Sequence, residues 1–169
     1  MKGFYAALSR VNKMMYEPNG LTVKSAREEK QNMKYGAGAF ECSSKSIRFR
    51  VANVTPNKVG QFVSIWEKDS SNKNQPYSYD ESTDLLVITT FKNDVEYGQF
   101  IFPKEVLLKQ KILKSSSTKG KMAMRVYPIW DTPTSKQAMK SQQWQLPYFI
   151  DMSHQDHSTK EKIIKLYTL

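Results

Sequence analysis

Cysteine is nearly absent: Cys42 is the only one in 169 residues. A lone thiol closes no internal disulfide, so the fold must rest on its core, and a reducing, cytoplasmic setting is expected. No histidine stands nearby to act as a base, which makes Cys42 a small core residue rather than a nucleophile. Histidine is almost as scarce. His154 and His157 have the i, i+3 spacing of a helical metal pair, yet they sit in a polar stretch without a thiolate partner, so no metal site is expected. Loops of the Gly-x-Gly-x-x-Gly kind, whose backbone cradles phosphate, are missing, and nothing implies a cofactor. No apolar stretch nears the ~20 residues of a spanning helix. Met1-Lys-Gly-Phe-Tyr-Ala-Ala-Leu also lacks the apolar run of a signal peptide. A soluble protein with no membrane insertion is expected.

Positive charge and aromatic rings are what the chain has in quantity. Lys and Arg number 26 against 16 Asp and Glu, a formal charge of +10. Such an excess costs self-repulsion in the compact state, and its common use is attraction to DNA, RNA or an anionic membrane face. A merely lysine-rich surface gives the same count. The hydrophobic share is only 39% and the mean hydropathy −0.61. Even so, 8 Phe, 9 Tyr and 3 Trp mark a folded chain, since disordered chains bury too little surface to offset ordering entropy. The length suits one domain.

Periodicity gives a coarse order of elements. Phe4, Leu8, Val11 and Met15 recur on one helical face, so residues 2–16 read as a helix, stopped by Glu17-Pro18-Asn19-Gly20. Ser25-Ala-Arg-Glu28 has the spacing of a capping box, and the polar residues after it read as surface. From Ser46 the pattern alternates strictly, with Ile47, Phe49 and Val51 inward and Arg48 and Arg50 outward. Gly60 to Trp66 reads as a second strand, residues 67–83 as a polar loop. Asp84 to Phe91 is a continuous apolar run, the signature of a strand covered on both faces. It turns at Lys92-Asn93-Asp94 and pairs with Glu96 to Phe102. Pro103 opens a helix over 104–112. A strand over 122–130 and a helix opening near Ser135 follow, the latter with Ala138, Gln142, Gln145 and Phe149 on one face, ended or kinked at Pro147. The expectation is an α/β fold, a mixed β-sheet flanked by helices. It occupies a single domain over residues 1–152, with a polar C-terminal tail over 153–169.

The segments Ser46 to Trp66, Asp84 to Pro103 and Lys121 to Phe149 carry a resemblance. Their motifs include Ser-Ile-Arg-Phe-Arg-Val-Ala-Asn-Val, Gly-Gln-Phe-Ile-Phe-Pro-Lys, Lys-Met-Ala-Met-Arg-Val-Tyr-Pro-Ile-Trp and Gln-Trp-Gln-Leu-Pro-Tyr-Phe. Taken in order, they resemble the MepB family of small bacterial proteins over most of the chain from Tyr35 to Phe149. The resemblance implies a restriction-endonuclease-like fold, and a link to multidrug efflux through the genomic neighbours of the family's best-known member. Nucleases of that fold hold Mg²⁺ with an acidic residue and an Asp/Glu-x-Lys on the next strand. Here the only Glu-x-Lys is Glu28-Glu29-Lys30, ahead of the sheet. Asp84 starts a strand, but the following one reads Gly98-Gln99-Phe100-Ile101, with neither carboxylate nor lysine. No catalytic residue is therefore assigned, and a non-catalytic binding module is expected.

The densest mixture of basic, amide and aromatic side chains lies between Lys119 and Phe149. Together with the first hairpin it supplies a candidate nucleic-acid-binding set: Arg48, Arg50, Lys58, Gln61, Lys121, Arg125, Tyr127, Trp130, Lys136, Lys140 and Trp144. Arginine forks match phosphate, aromatic faces stack unpaired bases, and amides reach base edges. The competing reading of the same residues is rim packing for the aromatics and a solvated face for the lysines. DNA or RNA is the partner this set suggests. A Mg²⁺-dependent nuclease relying on Asp84 is one alternative. A small-molecule (drug) binding protein linked to efflux, with a pocket beside Trp130 and Trp144, is another.

Overall fold

Alternation along Ser46 to Val51 places those residues in the middle of the fold. The computed structural model describes residues 3–169. One sheet of six strands runs in the order β1 (Val23–Glu28), β2 (Gly38–Cys42), β3 (Lys45–Val51), β8 (Leu85–Phe91), β9 (Tyr97–Pro103) and β11 (Phe149–Asp151). β3 and β8 are parallel and the other neighbours antiparallel. Parallel neighbours need a long crossover. This one carries β4 (Asn53–Val54) and β5 (Gln61–Ser64), which with the later β10 (Ala123–Val126) form a second sheet in the order β10-β5-β4. It also carries a hairpin of β6 (Trp66–Lys68) and β7 (Asn74–Pro76). The helices are α1 (Phe4–Val11), α2 (Lys104–Lys109), α3 (Lys136–Gln145) and α4 (His157–Thr168). The mixed, helix-flanked sheet expected from the sequence is present. The helix expected over 2–16 runs from Phe4 and continues past α1 through a π-type turn to Tyr16; residue 2 lies outside the described residues.

Both faces of the large sheet are buried, and the side-chain alternation sorts its residues between two cores. Ile47, Phe49, Val87, Ile101 and Ile150 face the first, under α1 and α4. Leu86, Ile88, Phe100, Phe102 and Phe149 face the second, under the small sheet, α2 and α3. This is why β8 reads as an unbroken apolar run. The polar loop expected over 67–83 contains β6, β7 and Tyr77, which is buried in the second core. α1 docks closely because Gly38 has no side chain: a Cβ there would lie 2.2 Å from the Phe4 ring.

Two expectations are corrected here. Ser25 to Glu28 is no helix start. These residues belong to β1 and pair with β2 across a bulge between Lys24 and Arg27, where Ser25 takes φ 56°. A bulge of this kind needs pairing with a partner strand, which a local Ser-x-x-Glu spacing does not reveal. Nor do residues 153–169 form a polar tail. α4 is capped by Asp156, whose side chain accepts the Thr159 N–H at 2.9 Å, and it buries Ile163 and Tyr167 in the first core. The Tyr167 hydroxyl donates to Gln99 and lies 2.7 Å from the Tyr16 hydroxyl, while Gln99 donates to Thr89 at 2.9 Å. Burial pushes both phenols above their ordinary range, so they stay neutral and the chain of hydrogen bonds is uncharged. Tyr167→Phe leaves Tyr16 and Gln99 short of a partner in the core. It should lower stability by about 1–3 kcal/mol, read as an earlier urea midpoint; an unchanged midpoint would show that this chain does not anchor α4.

Candidate nucleic-acid interface

β10 and α3 come from the segment richest in basic and amide side chains, and a groove of about 440 Å³ lies between them. Lys121 and Arg125 line it from the strand side, Gln137, Lys140 and Trp144 from the helix side, and Tyr127 at its end. Among the described residues, no carboxylate lines it. Lys121 and Lys140 are exposed. Arg125 donates to the carbonyls of Val59 and Gly60 at 3.3 and 3.4 Å and to the Thr55 hydroxyl. Its charge thus holds the 55–60 turn without being neutralised. Gly60 sits at φ 85°, and a Cβ there would fall 2.7 Å from the Tyr127 ring. Burial pushes the pKa of the Asp131 carboxyl up, and the Gly60 N–H and Lys92 oppose the shift.

α3 has little apolar surface with which to dock, so amides hold it. Its first turn is capped by Ser135, which accepts the Ala138 N–H at 3.1 Å. The side chain of Gln145, 1% exposed, accepts the Tyr127 N–H and donates to the Arg125 carbonyl, each at 2.9 Å. These are the two backbone groups flanking Val126, so one side chain fills the place of a neighbouring strand. Gln142 donates to the carbonyls of Tyr127, Pro128 and Asp131 at 3.3, 3.1 and 2.9 Å. Of the residues expected on one helical face, Ala138, Gln142 and Gln145 do turn toward β10, whereas Phe149 lies beyond the helix in β11. What the sequence does not show is that these glutamines close the free edge of β10.

The expected set divides. Lys121, Arg125, Tyr127, Lys140 and Trp144 share the groove. Lys58 is exposed on the turn that Arg125 holds, and Lys136 is exposed on the outer side of α3. Trp144 packs on Phe102 with ring centres 5.2 Å apart, and Trp130 meets Phe149 edge-on at 5.7 Å. Both rings are half-buried against the second core, and Trp144 also lines the groove.

Arg48, Arg50 and Gln61 belong to a different environment. The face of β3 expected to be outward is the second buried face. Arg50 is 0% exposed. It pairs with Glu29 at 3.3 Å and donates to the Tyr77 hydroxyl at 2.7 Å and to the carbonyls of Phe49 and Ser64. Arg48 also reaches Glu29, at 3.2 Å, and lies 3.8 Å over the Tyr77 ring. Gln61 is 2% exposed and donates to the Phe91 carbonyl at 3.2 Å. An alternating strand cannot by itself distinguish water from a second core whose ion-pair partner arrives from elsewhere. Glu67 lies beside this cluster; burial raises its pKa, Arg48 and Lys114 lower it, and Glu81 and Glu29 raise it further.

Asp84, the acid the nuclease alternative needs, accepts the backbone N–H of Ser46 at 2.9 Å and its hydroxyl at 3.2 Å. It therefore ties the start of β8 to β3. The acid of the Glu-x-Lys triplet, Glu28, is exposed at the end of β1, and the Glu29 beside it is committed to the two arginines. His157 pairs with Glu161 at 2.8 Å on the exposed side of α4. Among the described residues, no three His, Cys, Asp or Glu side chains come together as metal ligands. No helix there is long and apolar enough to cross a membrane.

Three substitutions test these placements by urea denaturation. Glu29→Ala leaves buried Arg50 without its counter-charge and should cost about 3–5 kcal/mol. Gln145→Ala strands a buried N–H and a carbonyl and should cost about 1–3 kcal/mol. Gln143→Ala, two residues away on the exposed side, should stay within about 0.5 kcal/mol of the parent. Equal costs at Gln145 and Gln143 would contradict the clamp.

The sequence model of the MepB-like family matches residues 29–151, well over half of the chain. The crystal structure of MepB is similar with a TM-score of 0.77 and 37% sequence identity, covering 92% of this chain and 100% of that one. A bacterial homing endonuclease superposes with a TM-score of 0.45 and 12% identity, over 85% of this chain and 86% of its own. No curated protein matches significantly. By sequence and by architecture, the chain belongs to the MepB-like family.

Proposed function

We propose that the protein binds nucleic acid, with phosphates lying along the groove between β10 and α3. One observation carries this reading. Residues 106–150 hold eight Lys and Arg against the single Asp131, a local excess of seven of the chain's ten charges. None of those eight cations is in an ion pair among the described residues. Elsewhere basic and acidic residues nearly balance. Four of the eight, Lys121, Arg125, Lys136 and Lys140, lie on or beside the β10–α3 unit, and cations left unneutralised there have a use in attracting a polyanion and releasing its counterions. Serine, glutamine and lysine side chains in the groove supply donors for phosphate oxygens. Binding needs no intact nuclease motif, and catalysis is not part of the proposal. A planar cationic drug would meet Lys121, Arg125 and Lys140 in this groove with no carboxylate to offset them.

Fluorescence anisotropy with labelled 20-mer oligonucleotides at two or more salt concentrations tests the reading. Saturable binding is expected, weakening with salt with a logarithmic slope of about −3 to −4, as for about four phosphates. Lys121→Ala and Lys140→Ala should each weaken binding roughly threefold to tenfold and reduce the slope by about one. Lys160→Ala, on exposed α4, should leave both unchanged. Absence of binding at low salt would overturn the proposal, and so would groove variants that bind like the parent.

A further inference from the structure

We propose that α3 is the element that enters the major groove of duplex DNA. The inference rests on the nucleic-acid reading above and concerns which nucleic acid is bound, and how. Lys136, Met139, Lys140 and Gln143 recur at i, i+3, i+4 and i+7 and form one exposed stripe along the helix. Met139 is 54% exposed. α3 contains no Asp or Glu. On one side of the stripe lies the groove with β10. On the other side of the helix lies a second, shallower depression of about 520 Å³, whose wall is the stripe itself together with Thr132, Pro133 and Leu146. Lys140 borders both. The helix is therefore a ridge between two depressions, with positive charge along it.

That shape and chemistry match one occupant. An α-helix with its side chains is about 10–12 Å across, and the major groove of B-DNA is about 12 Å wide. Its two phosphate backbones would lie over the two flanking depressions, within reach of Lys121 and Arg125 on one side and Lys136 on the other. Gln143 presents the donor–acceptor pair that reads adenine in that groove, and Met139 an apolar contact for the thymine methyl. The amide clamps of Gln142 and Gln145 hold the ridge in place before binding, so little ordering remains to be done on contact. Single strands are recognised chiefly by stacking on open aromatic faces. Here the Trp130 and Trp144 rings pack on Phe149 and Phe102. Duplex RNA offers a major groove too deep and narrow for a helix.

The test is anisotropy at one fixed salt concentration with three duplexes of the same sequence. One is plain DNA. The second carries glucosylated 5-hydroxymethylcytosine, which fills the major groove and leaves the phosphates alone. The third is RNA. Plain DNA should bind at least about tenfold more tightly than the other two, and Gln143→Glu should weaken it by a similar factor, consistent with the usual worth of one base-edge contact. Equal binding to plain and glucosylated DNA would remove α3 from the major groove while leaving phosphate binding along β10 intact. RNA bound as tightly as DNA would overturn the choice of duplex. No binding to any of the three would overturn this inference together with the reading beneath it.

Discussion

Burial of the six-stranded sheet on both faces is the constraint from which the rest follows. Each residue of β3, β8 and β9 must suit one core or the other, so a charge on those strands needs its own partner. Arg50 meets that condition by drawing Glu29 inward, with Tyr77 and two backbone carbonyls completing its donors. A guanidinium at 0% exposure has this requirement, because the desolvation of an unpaired ion would cost several kcal/mol. Glu29 serves Arg48 as well, which fixes the end of β1 against the sheet. The polar chain of Tyr16, Tyr167, Gln99 and Thr89 satisfies the same condition without charge on the other face.

With the sheet closed to unpaired charge, cations are left to the periphery, among them Lys121, Arg125, Lys136 and Lys140 where β10 and α3 meet. There the docking problem is inverted. α3 carries few apolar residues, and two glutamines attach it to the open edge of β10 through five hydrogen bonds. Attachment through backbone groups uses only the inner face of the helix. The outer face is left for lysines, Met139 and Gln143, which contribute nothing to holding it in place. The division of labour within ten residues separates stability from recognition, so substitutions on one face should not be felt on the other.

Much of this was legible from the chain. The period of Phe4, Leu8, Val11 and Met15, the unbroken run of β8, the hairpin with β9 and the start of α3 at Ser135 all follow from local pattern. The basic segment after Lys119 does form the groove. What escaped local pattern depends on partners distant in sequence. Arg48 and Arg50 alternate as solvent-facing residues would, and only Glu29 and the buried second face make them structural. Ser25 sits in a spacing that caps helices, but pairing with β2 bends it into a bulge. The last helix looks like a polar tail because only Ile163 and Tyr167 are buried along it. Gln145 shows no sign in sequence of closing a strand edge; the available hint is a helix whose inward face is amide rather than apolar.

The central claim is that the cations on and beside β10 and α3 form the surface that meets a polyanion. Amide hydrogen exchange, followed along the whole chain with and without excess duplex DNA, addresses it most directly. The account predicts added protection confined to Lys119 through Gln145, with α1 and α4 unchanged on the opposite face of the sheet. Protection centred on α1 and α4, or none at DNA concentrations that saturate binding, would contradict it.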